Sequence, residues 1–164
     1  MKPVFSPPSG VKGLALSICA FWGATLVVNG LIFSLGLNDR PMATAEGVLP
    51  PGYVIGTVWS LLFAGMGAAY WCVVQRPAHV WPGSLRPQRQ ILGLAGFCLA
   101  YPVFTLGFSV GPLVVAGNLV CIAWSSALAG YFAPKLRLVA GLVFLPAVWV
   151  IYVTYLIAVQ AMTG

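Results

Sequence analysis

Apolar runs over 11–37, 53–74, 91–110, 113–132 and 138–162 alternate with short polar segments along the whole 164-residue chain. Each run is long enough to cross a bilayer as a helix, at a rise of about 1.5 Å per residue. The pattern predicts an all-α polytopic membrane protein: a bundle of five transmembrane helices in a single domain covering residues 1–164, with connections too short to hold a soluble domain. Continuous runs of this kind are unlike the alternating segments of about ten residues that a β-barrel needs. The second run is the most patterned. Pro50 and Pro51 open it, where the missing N–H costs nothing, so its helix starts within a few residues of Gly52. On that helix Gly56, Ser60, Phe63, Gly67 and Tyr70 recur at spacings of three and four and so share one face. Such a face either packs closely against a neighbouring helix or lines a slot.

Composition agrees with the pattern. Hydrophobic residues make up 60% of the chain and charged residues 6%, whereas about a quarter of a soluble domain is charged. The net charge of +6 is a topology signal rather than a sign of nucleic-acid binding. Lys2, Lys12, Arg76, Arg86, Arg89, Lys135 and Arg137 all fall on one side of a five-helix bundle; Arg40, Asp39 and Glu46 fall on the other. By the positive-inside rule the N-terminus is cytoplasmic and the C-terminus outside, in a multi-pass protein of the bacterial inner membrane. The first apolar run is too long for a signal-peptide core and is kept as a span.

Between the runs, 38–49 is the longest outer connection and the only acidic one, readable as a lid or as a plain connector. The inner connection at 75–90 holds His79 beside Trp81, an interfacial anchor. A lone histidine without further ligands makes no metal site. Cys19, Cys72, Cys98 and Cys121 form no CxxC pair and read as small packing residues. Asn29 is expected to hydrogen-bond a neighbouring helix. Apart from Lys12 at the start of the first run, no Asp, Glu, Lys, Arg or His lies inside the predicted spans, which leaves a proton relay or charge-coupled exporter without its ionisable group. No nucleophile has a base partner, so no catalytic residue is assigned. Aromatic, apolar and hydroxyl groups remain, and they suit the binding of a flat hydrophobic molecule.

The residues Pro50-Pro51-Gly52-Tyr53-Val54-Ile55-Gly56, then Trp59-Ser60-Leu61-Leu62-Phe63, then Met66-Gly67 resemble the second-helix pattern of the TspO/MBR family, the tryptophan-rich sensory proteins related to the mitochondrial translocator protein. Leu145-Pro146, Trp149 and Thr154-Tyr155-Leu156 resemble its fifth helix. The resemblance implies a five-helix bundle whose interior binds porphyrin, haem or another lipophilic pigment, held noncovalently. It implies a pocket where Gly56, Trp59, Ser60 and Phe63 of the second helix, with Tyr53 at its start, face Trp149 and Tyr152 of the fifth, and where Trp22 and Phe104 come from the first and third.

Several positions depart from the family pattern. Gly47-Val48-Leu49 replaces the aromatic approach to the double proline, Tyr101 and Phe104 stand for an Asn-x-x-Trp pair, and Ile157 replaces a final Asn. Three functions follow: a receptor or carrier for a flat lipophile; a non-enzymatic accessory subunit packed against a larger membrane assembly such as a pigment–protein complex; and, third, an oxidative tetrapyrrole-degrading enzyme using Trp59 and Trp149. The expected partners are membrane lipids, the lipophilic ligand, and either a second copy through small-residue helix faces or the larger complex, without nucleic acid.

Overall fold

A computed structural model of the chain describes residues 8–36, 50–76, 87–108 and 111–163, the side chains of 103–108, 111, 160, 161 and 163 excepted. The expected lid at 38–49, the His79 and Trp81 loop and the Phe104 side chain lie outside the described residues. Those described form five helices and no strand: α1 Val11–Ser34, α2 Gly52–Val74, α3 Pro87–Phe108, α4 Gly111–Phe132 and α5 Arg137–Thr163. Four of them, α1, α2, α4 and α5, are long and apolar enough to cross a membrane. The chain is thus an all-helical, multi-pass membrane protein. The fifth expected span coincides with α3, whose last turns fall among the undescribed side chains.

Local chemistry explains where the helix ends depart from the apolar runs. α1 stops at Ser34 because Gly36 takes φ +62°, the left-handed conformation that closes a helix, and the Leu35 and Gly36 amides turn back onto the Leu31 and Phe33 carbonyls. α3 starts earlier than its apolar run, at Pro87, and α4 starts at Gly111 with Pro112 in its first turn; proline fits both places because first-turn amides have no intrahelical acceptor.

Contacts are most extensive between α4 and α5 and between α1 and α2, and α2 also packs on α5 and α3. One apolar core runs through all five helices, with Phe21, Phe63, Tyr70, Leu94, Phe132 and Val143 among its members. The α1–α2 seam shows how closely it is built. Ser17 Oγ donates to the Gly67 carbonyl at 2.8 Å, and a β-carbon added at Gly67 would lie 2.8 Å from the Ser17 carbonyl oxygen and 2.9 Å from Ile18 Cα. Only glycine lets the two backbones approach so closely. One turn further, the Phe21 and Tyr70 rings are 5.7 Å apart. The lead-in is tied to the same seam, since Trp71 Nε1 donates to the Pro8 carbonyl at 3.2 Å. Leu16, Leu26, Val27 and Phe33 of α1 face outward, where a bilayer covers them.

Candidate functional site

The inner faces of α2, α3, α4 and α5 enclose a small space walled by Trp59, Phe97, Cys98, Tyr101, Asn118, Cys121 and Val150. Its free volume is ≈ 10 Å³, room for about one water molecule. Each wall is positioned by helix packing. Trp59 lies one turn before the fully buried Phe63, with ring centroids 6.1 Å apart. On α3 the Phe97 ring sits 6.4 Å from Tyr101 and 6.3 Å from Trp124 of α4. The edge of the Tyr101 ring abuts Gly117, where any β-carbon would overlap it. The Cys98 and Cys121 thiols meet across the α3–α4 contact at 3.8 Å.

A directed chain of hydrogen bonds closes the site. Tyr101 Oη donates to Asn118 Oδ1, Asn118 Nδ2 donates to Thr154 Oγ1 at 2.8 Å, and Thr154 Oγ1 donates to the Val150 carbonyl at 2.7 Å. A carbonyl only accepts, so the direction of the last bond fixes the others: the Thr154 hydroxyl has spent its hydrogen, the amide must present Nδ2 to it, and Oδ1 is left for Tyr101. α3, α4 and α5 are thereby pinned at one point. Polar groups of an apolar interior are satisfied here by one another.

The expected site residues divide. Trp59 lines the space and Phe63 backs it. Ser60 is half-buried, but its Oγ donates to the Gly56 carbonyl of its own helix at 2.8 Å. Gly56 faces open space, with nothing within 4 Å of where a β-carbon would stand. Gly67, on the face that the spacing left open between close packing and a slot, lies in the α1 seam. Trp22 is 45% exposed because the buried positions of α1 are Gly13, Ser17, Phe21 and Thr25, and the residue after Phe21 is turned about 100° away. The same step separates Trp149 from Val150. Val150 reaches the space, while Trp149 packs half-buried against the core and pairs with the exposed Tyr152 at 5.6 Å. Tyr53, in the first turn of α2, is 77% exposed.

Asn118, Tyr101, Phe97, Val150 and the Cys98–Cys121 pair line the space and were not among the expected site residues. Asn118 carried a signal, as a lone amide in a long apolar run. Asn29, the amide of the first run, is half-buried near the end of α1 and makes no hydrogen bond to a described residue of another helix. For the cysteines no spacing in the chain announces that they meet.

Fold and interior together define a class: a multi-pass helical membrane protein with an aromatic, amide-containing centre and no Asp, Glu, Lys, Arg or His among the residues lining it. The TspO/MBR family model matches residues 43–162, which take in all the residues of the central space and every helix but α1. The chain belongs to the TspO/MBR family. No curated protein and no solved structure matches it.

Proposed function

We propose that the chain is a receptor or carrier, not an enzyme, that admits a flat lipophilic molecule such as a porphyrin or haem between α2 and α5. The observation that carries this reading is the meeting of Trp59, Phe97 and Tyr101 with the Asn118 amide around one interior space. Rings supply stacking area and the amide a polar contact, the combination that flat ligands need. The chemistry of the walls fits a tetrapyrrole; the volume of the closed form does not, since pockets for such ligands run to about 300–1,000 Å³. Entry therefore requires the walls to part. α3 is the wall to move, because among the described residues its packing against α2 and α4 is less extensive than that of α1 on α2 or α4 on α5. In this proposal α3 is a fifth span of a single bundle in a bacterial inner membrane.

The test is quenching of tryptophan fluorescence by a soluble porphyrin in purified wild type and variants. Stacking on Trp59 contributes on the order of 1 kcal/mol beyond buried area, so Trp59→Leu weakens binding about fivefold or more. The effect of Trp149→Leu is smaller, because Val150 and not Trp149 reaches the space. Trp22→Leu, on the outer face, leaves the dissociation constant unchanged.

The filled interior favours a second reading, a subunit that keeps the fold and packs within a larger membrane assembly. Absence of saturable quenching in wild type, with the protein eluting from native membranes as part of a stoichiometric complex, would replace the first reading by the second.

A further inference from the structure

A second, larger hollow lies at the end of the bundle where α2 finishes and the α4–α5 turn begins. Its volume is ≈ 520 Å³, within the range that binds small molecules. Arg76, Lys135 and Arg137 stand around it, all exposed, and Trp71, Leu138 and Val139 form its apolar side. Three cations are thus collected around one hollow with no carboxylate among its lining residues, and the Lys135 ammonium also stands 5.3 Å from the centre of the Tyr131 ring.

We propose that this hollow binds an anionic phospholipid, with the phosphate held by Arg76, Lys135 and Arg137 and the start of the acyl chains along Leu138 and Val139. The position supports a lipid over a water-soluble anion. The hollow is at the end of two membrane-crossing helices, α2 and α5, so it opens at headgroup depth, and Leu138 is turned outward beside Arg137. Arginine suits the task because its planar fork takes phosphate oxygens two at a time. Charge also discriminates between lipids. A zwitterionic phospholipid offers the same phosphate, but its ammonium group meets three cations; phosphatidylglycerol brings no such repulsion.

Native mass spectrometry of the full chain in neutral detergent, titrated with phosphatidylglycerol or phosphatidylcholine, tests this. Wild type should retain one phosphatidylglycerol at about a tenth of the concentration that phosphatidylcholine requires. Arg76→Gln, Lys135→Gln and Arg137→Gln should each weaken retention about fivefold, the effect of one base near a lipid surface, and the triple variant should lose the preference. Lys12→Gln removes a base outside the hollow and should change nothing. Melting temperatures of all variants report whether the exposed substitutions leave the fold intact, and Arg137→Lys, which keeps the charge, should restore most of the binding in a folded protein. The proposal is overturned if the two lipids are retained alike, if the triple variant keeps its preference, if Lys12→Gln acts as strongly as the groove variants, or if millimolar inorganic phosphate displaces the lipid.

Discussion

Asn118 joins three helices through one amide, taking a hydrogen from Tyr101 and giving one to Thr154. Its removal is cushioned, because each partner keeps another bond: Tyr101 Oη has the Val114 carbonyl at 3.3 Å as a second acceptor, and Thr154 loses an incoming donor but still donates to the Val150 carbonyl. Asn118→Leu should therefore cost about 1 kcal/mol, the scale of an interhelical hydrogen bond in a membrane, and not the larger penalty of orphaned polar groups. In a double-mutant cycle read by thermal unfolding in detergent, Tyr101→Phe should cost less in the Asn118→Leu background than in wild type; strict additivity would show that the two do not act as a pair. The sequence located part of this site. Trp59 and Phe63 were legible because α2 carries a dense pattern of small and aromatic residues. Trp22 and Trp149 misled by one position each, since a lone tryptophan in a run that is apolar all round does not say which 100° sector faces inward. Phe21 and Val150, the neighbours that do, look no different from the residues around them.

Element by element, the helices were readable from apolar length, and their ends were not, because caps depend on backbone conformation at Gly36 and on how Pro87 and Pro112 are used. α2 offers the clearest test of what its glycines do. Both Gly56 and Gly67 lie on the face foreseen from the spacing, yet one meets open space and the other the backbone of α1. Gly67→Ala must push α1 away and should destabilise by about 1–3 kcal/mol, the usual cost of overpacking. Gly56→Ala meets nothing and should be neutral, or stabilising by about 0.5–1 kcal/mol through helix propensity. Comparison of the two melting temperatures checks the assignment, and equal effects would contradict it. Of the two meanings that the sequence left open for this face, close packing holds at Gly67; at Gly56 no neighbour claims the surface.

For the whole molecule, charge carried the most readable information. Seven of the eight Lys and Arg residues fall in segments that a five-span reading assigns to one side, and the structure gathers three of them, Arg76, Lys135 and Arg137, around one hollow. A C-terminal alkaline phosphatase fusion should be active in the periplasm and a C-terminal fluorescent protein that matures only in the cytoplasm should stay dark; the opposite pattern would mean an even number of spans or a reversed orientation. What no sequence pattern conveyed is how full the centre is. A space of ≈ 10 Å³ turns any ligand into a selector of rare conformers. Its measured affinity equals the intrinsic one multiplied by the fraction of molecules already open, so a bundle open about 1% of the time appears about a hundredfold weaker than its walls could be. Association would then be paced by the breathing of α3 and level off as ligand is raised. A substitution that touches no ligand, and only loosens the seat of Tyr101 against Gly117, could tighten binding.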